Sequence, residues 1–191
     1  MTPRPIRRLK PPLDERSVRR LKVGDFVSIT GRIFTARDKV YDMALQLFRG
    51  GKRMPLNMRG GVVYHCGPLA RKIRGAWQVL SAGPTTSARL DRMQVEFVES
   101  TGVRALVGKG GVGEDVAREL RRLGCVYLAF TGGAGVLAAS AVERVEKVLW
   151  QKLGAAEALW VLYVRNFGPL VVAIDLHGGN LYLREGGGAK F

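Results

Sequence analysis

Along this chain a short apolar run, a glycine-rich turn and apolar residues at helical spacing follow one another several times. Asp25-Phe26-Val27-Ser28-Ile29-Thr30 alternates as a half-buried strand does. Val40, Ala44, Leu45 and Phe48 then recur three and four residues apart, predicting a helix over 36–48 opened by Arg37-Asp38. Gly50-Gly51 and a basic linker lead to Gly61-Val62-Val63-Tyr64-His65, an apolar strand closed by Cys66-Gly67-Pro68. Trp77–Ser81 reads as another strand, broken by Gly83-Pro84, and Leu90, Met93 and Phe97 place a helix over 85–99. Strand 103–107, the loop Gly108-Lys109-Gly110-Gly111-Val112-Gly113 and a helix over 114–123 repeat the order. So do strand 125–130, the packing turn Thr131–Gly135 and a helical stretch running through Trp150. Ala158–Val164 and Leu170–Leu176 read as two strands joined by Arg165–Pro169, with His177-Gly178-Gly179-Asn180 as a turn. Strands alternating with helices predict an α/β domain.

The ends read differently from the middle. Residues 1–22 are rich in Pro and Arg, and Pro11-Pro12 opposes a regular element, which predicts a basic arm. The domain proper then spans 23–185, and 186–191, with its three successive glycines, reads as a frayed tail.

A length of 191 residues with 47% apolar composition suffices for one domain with a full core. No apolar run approaches the roughly 20 residues of a membrane span, and Thr2–Arg8 lacks the apolar heart of a signal peptide, so the chain is expected in the cytoplasm. Cys66 and Cys125 are too few for the four thiolates that usually hold an iron-sulfur cluster, and both are expected as buried, reduced thiols.

A net charge of +15 raises the question of nucleic acid. Residues 1–22 alone carry eight basic side chains against Asp14 and Glu15, a surplus of six. Aromatic residues are sparse near the basic runs and no helix-turn-helix, zinc-finger or RNP pattern is present, which disfavours specific nucleic-acid binding. An anionic substrate or an acidic partner would use the same charge.

The stretch Gly83-Pro84-Thr85-Thr86-Ser87-Ala88-Arg89-Leu90-Asp91 is the richest in candidate chemistry. A hydroxyl here can cap the helix, the free N–H groups and dipole attract an anion, and Arg89 lies four residues beyond Thr85. An ordinary capped helix with a solvated arginine fits the same nine residues. Arg37 is a cation at a helix start, which is mildly unfavourable unless it reaches across a cleft to an anion. Asp38 in that first turn suits the helix dipole. His65, at a strand end, is better read as a packed structural residue than as a catalytic one. The Gly108–Gly113 loop has the P-loop order of strand, loop and helix, but Glu114-Asp115 stand where a P-loop carries Lys and Ser or Thr, and would repel a polyphosphate. What remains is a nest of N–H groups with Lys109 at its mouth, suited to a small anion such as a carboxylate.

Taken in order, Thr30-Gly31 with Thr35-Ala36-Arg37-Asp38, His65-Cys66-Gly67-Pro68, Gly83-Pro84-Thr85-Thr86-Ser87-Ala88-Arg89, Lys109-Gly110-Gly111, and Phe167-Gly168-Pro169 with Ile174-Asp175-Leu176-His177-Gly178 are a specific set. Over residues 22–183 the chain resembles the beta subunit, or C-terminal domain, of class I iron-sulfur hydro-lyases, meaning class I fumarases and L-tartrate dehydratases. The resemblance implies a three-layer swivelling β/β/α domain. It implies an alpha partner, in an alpha2beta2 heterotetramer, in which the alpha subunit holds a four-iron, four-sulfur cluster and this chain holds no metal. It also implies that Arg37, Arg89 and Lys109, with Thr86 and Gly110, bind a dicarboxylate, and that Thr85 acts on it. The chain departs from the pattern at Tyr41, where relatives often have His, and in its basic N-terminal segment. The expected reaction is reversible dehydration of (S)-malate to fumarate, with L-tartrate as the alternative substrate. A basic module for nucleic acid or an acidic protein is the alternative of another class.

Overall fold

The computed structural model describes residues 5–183. Four strands, β2 (Phe26–Thr35), β3 (Val62–Tyr64), β6 (Ala105–Gly108) and β7 (Val126–Ala129), run parallel and side by side in that order. The long strand β9 (Leu159–Ile174) pairs antiparallel with both β7 and β2, so the ladder returns on itself. Strand β1 (Arg7–Leu9) adds to β2, and β8 (Val142–Leu149) adds to β9. Successive residues point to opposite faces, so Ala105 and Val107 join one core cluster while Leu106 joins the other. Helices α2 (Asp38–Arg49), α3 (Asp91–Thr101) and α4 (Glu114–Arg122) cover the face carrying Val63, Leu106 and Tyr127. The hairpin of β4 (Leu69–Ile73) and β5 (Ala76–Ser81), with the short helix α5 (Gly135–Ser140), contributes Ala70, Trp77, Val79 and Ala138 to the other cluster. The fold is α/β, as the sequence predicts. Among the described residues no helix is long and apolar enough to cross a membrane.

Three sequence expectations need correction. The basic segment is not a detached arm: β1 and helix α1 (Glu15–Arg19) lie in it, and Leu9, Leu13, Val18 and Leu21 are buried in the core. Pro11-Pro12 does interrupt regular structure, but only between these two elements. The proposed tail at 186–191 lies outside the described residues.

The helical stretch expected through Trp150 ends at Ser140, and Val142–Leu149 is strand β8. Its apolar residues Val142, Val145 and Val148 are three apart, the spacing of a helix. Register shifts between Val142 and Arg144 and between Val145 and Lys147 each take up one residue. The three valines therefore meet Val164, Leu162 and Trp160, alternate residues of β9, on a single face. The two strands expected at 158–164 and 170–176 are likewise one strand, β9, because the segment between them stays paired with β2 through Phe167 and Ile29.

Candidate active site

The carboxyl ends of parallel strands in an α/β sheet diverge and leave a crevice where ligands bind. Here the crevice lies beyond β3 and β6. His65 N still donates to Val107 O at 2.8 Å, but one residue further the chains separate. The segment Pro84–Ser87 enters between them. Thr85 N donates to His65 O at 2.7 Å, Lys109 N to Thr85 O at 3.2 Å, and Ser87 N to Lys109 O at 3.0 Å. Isolated bridges join Cys66 to Pro84 and Thr86 to Lys109. This short rung fixes Thr85 and Thr86 against the Lys109-Gly110 turn. A Cβ on Gly110 would sit 3.6 Å from the Thr86 methyl, so these two residues are in contact range.

The expected hydroxyl cap is absent. A 3-10 turn (Ser87–Leu90) precedes α3, and neither has a side-chain cap. Thr85 Oγ1 instead donates to His65 O at 3.0 Å, which spends its proton and leaves its lone pairs for the crevice. Ser87 turns inward. Its Oγ lies 2.7 Å from His65 Nδ1 and accepts from Tyr127 Oη at 2.9 Å, while Tyr41 Oη lies 2.8 Å from His65 Nε2. Both imidazole nitrogens are thus engaged in a buried chain, and burial pushes the His65 pKa down to about 3. The imidazole is neutral and structural, in agreement with the reading of His65 as a packed residue. Burial also pushes the Tyr41 and Tyr127 phenols up, so neither ionises near neutral pH.

Folding with His65 neutral has a pH consequence. Its folded pKa lies below the ordinary value of 6.5, so below that value the unfolded chain binds a proton the folded chain refuses. Stability supplied by the neutral ring is complete above the ordinary value and is lost as pH falls toward about 3. Urea melts of the wild type should therefore lose midpoint more steeply between these limits than melts of His65→Gln, by the equivalent of one proton. Parallel acid limbs would refute a neutral His65.

The three cations occupy the surrounding loops. Arg89 leaves the 3-10 turn with its side chain 53% exposed and approaches Asp38 at 3.6 Å. Lys109 is exposed and makes no ion pair among the described residues. Arg37 differs from expectation: it reaches an anion, but one of this chain, Glu157, at 3.1 Å. The other Glu157 oxygen accepts from Lys39 N at 3.2 Å, so this carboxylate also caps α2, which has no cap of its own. Arg37 lies over Gly67, where a Cβ would stand 3.0 Å from its Cδ, and its buried Nε has no partner among the described residues. The Lys109 turn is partly filled from within as well. Asp91 accepts from Gly113 N at 2.7 Å and from Gln94 Nε2 at 2.8 Å, ahead of α4. The partners of Glu157 and Asp91 escape the sequence pattern, since each carboxylate serves a helix far along the chain.

Thr85, Thr86, Lys109 and Gly110 are therefore joined directly. Arg89 stands in the 3-10 turn that follows Thr86 and approaches Asp38, the chain neighbour of Arg37. No group of three or more His, Cys, Asp or Glu is placed to hold a metal ion among the described residues. Both cysteines are buried and unpaired, and burial pushes the Cys66 thiol up to about 12, which keeps it protonated.

A family model described as the fumarase C-terminus matches residues 6–185, nearly the whole chain. The chain belongs to the fumarase C-terminal family. A protein of Methanocaldococcus jannaschii provisionally named L(+)-tartrate dehydratase subunit beta is 40% identical over 171 residues, 89% of this chain and 88% of its own length. The L(+)-tartrate dehydratase subunit beta of Escherichia coli K12 is 39% identical over 91% of this chain and 85% of its own. A Geobacillus stearothermophilus protein provisionally named fumarate hydratase class I is 39% identical over 91% of this chain, but the match takes in only 33% of that longer protein. The family match begins at residue 6, and thus includes the segment that supplies β1 and α1.

Proposed function

We propose that this chain is the beta subunit of a class I iron-sulfur hydro-lyase and binds the dicarboxylate substrate, with (S)-malate and fumarate as the pair interconverted. The observation that supports the reading is the rung beyond β3 and β6 that holds Thr85 and Thr86 against the Lys109-Gly110 turn, with Arg89 in the 3-10 turn that follows it. Arg89 and Lys109 are the more available cations, since Arg37 already holds Glu157. They fix the two carboxylates. Removal of a proton beside a carboxylate moves negative charge onto it, so donors aimed at its oxygens bind the transition state more tightly than the ground state. Thr85 presents lone pairs, and so accepts from a substrate hydroxyl rather than donating to a carboxylate. Thr86 and the backbone of Gly110 complete the wall.

The rest of the chemistry is assigned to an alpha subunit, in an alpha2beta2 heterotetramer. Its four-iron, four-sulfur cluster would serve as a Lewis acid for the departing hydroxyl. The proton-abstracting base is assigned there too, because His65 has both nitrogens engaged and Asp38 faces Arg89.

L-tartrate is the second reading, supported by the free-standing beta subunits among the relatives, which match over most of their length. The test is anaerobic co-expression with an alpha chain of the same organism, followed by assays with malate and with L-tartrate. Faster turnover of malate is expected. Preference for tartrate would transfer the assignment to the second reading, and turnover of neither by a cluster-loaded complex would overturn both.

A further inference from the structure

At the opposite end of β3, where Gly61 leads into the strand, the chain forms an open-sided cavity of about 610 Å3. Its walls come from the Lys10–Pro12 segment after β1, the middle of β2, the turn before β3, and the paired strands β8 and β9. Lys10, Arg32, Arg59 and Arg144 line it, against one carboxylate, Glu146. Both Glu146 oxygens are already taken, by Arg32 Nε at 2.6 Å and by an Arg144 terminal nitrogen at 2.8 Å. Lys10 and Arg59 have no ion pair among the described residues. The Arg144 guanidinium stacks 3.9 Å from the centroid of Tyr163, and Pro11, Pro12 and Phe34 add apolar wall.

Like charges gathered in one concavity repel, and neither the sheet pairing nor the core requires these four side chains to be basic. An anion bound among them would relieve the repulsion. The cavity falls within the range of about 300–1,000 Å3 usual for small-molecule sites. Guanidinium forks match phosphate oxygens in geometry, and the Arg144 guanidinium plane, backed by Tyr163, together with Pro11 and Pro12 offers flat surface to a base or similar ring. We propose that this cavity binds a phosphate-bearing small molecule of nucleotide size. The proposal does not depend on the hydro-lyase assignment, because no residue of the crevice lines the cavity.

The test is calorimetric titration of the full chain, alone and assembled with its alpha subunit, using ATP and, as a ring-free comparison, tripolyphosphate. One saturable site per chain is expected, with ATP binding tighter than tripolyphosphate and fumarate leaving both unaffected. Lys10→Ala and Arg59→Ala should each weaken ATP binding roughly tenfold, as loss of a charge-assisted contact does, with unchanged circular dichroism. Absence of saturable binding, indifference to both substitutions, or competition by fumarate would each overturn the proposal. So would RNA binding far tighter than ATP with the same dependence on Lys10 and Arg59, since the cavity would then belong to a polymer backbone.

Discussion

Arg89→Met in the assembled enzyme should lower kcat/KM by roughly 10- to 150-fold, the equivalent of about 1.5–3 kcal/mol for a charge-assisted contact, and leave the melting temperature unchanged. The separation of the two effects follows from the side chain's surroundings. Arg89 is more than half exposed, and its partner Asp38 stands 3.6 Å away, a surface pair that contributes little to folding. Its place in the 3-10 turn beside the Thr85–Lys109 rung is what makes it valuable to a bound carboxylate. If the contact tightens as charge moves onto the carboxylate, the loss falls on kcat more than on KM. Arg89→Lys should recover only part of the rate, because a point charge cannot reproduce a two-pronged contact. Steady-state kinetics on the reconstituted complex, with a melt of each variant, checks both halves. Normal kcat/KM in Arg89→Met would remove this residue from the site.

Gly108→Ala should fail in the opposite manner, losing stability and activity together. A Cβ at Gly108 would stand 2.0 Å from Ser87 Oγ and 3.0 Å from His65 Nδ1. Ser87 cannot rotate away cheaply, since its Oγ joins His65 and Tyr127 in the buried chain and its N–H holds Lys109 O. Overpacking of this kind costs about 1–3 kcal/mol, and for a chain of this length each kcal/mol lowers the melting temperature by about 2–4 °C. The rung would shift as well, carrying Thr85, Thr86 and Lys109 with it. A thermal melt together with kcat of the assembled variant reads both effects. A stable, fully active Gly108→Ala enzyme would show that the network beneath the crevice does not position it.

Much of this arrangement is legible in the sequence because local rules dictate it. Gly-Pro at 83–84, hydroxyls at 85–87 and apolar residues at 90, 93 and 97 mark a loop entering a helix wherever they occur. Strands followed by glycine turns and helices give the α/β class for the same reason. What escapes is set by tertiary structure. Three valines spaced as on a helix lie on one face of β8 because two bulges absorb the extra residues against β9, a strand further along the chain. The Pro- and Arg-rich segment hides Leu9, Leu13, Val18 and Leu21, which are buried only once β2 offers an edge to β1. The hydroxyl at 85 donates to His65 O and not to a helix N–H, a partner twenty residues earlier. Arg37 shows the same limit: its position at a helix start is plain, but Glu157 as its partner is not.

On the proposed assignment this chain supplies the substrate-binding half of a divided active site. Anaerobic reconstitution tests it most directly: the rate of malate dehydration is measured for this chain alone, for the cluster-loaded alpha subunit alone, and for mixtures of increasing ratio. No turnover is expected from either chain separately, and the rate of the mixture should rise until the two are equimolar. An alpha subunit as active alone as in the mixture would contradict it.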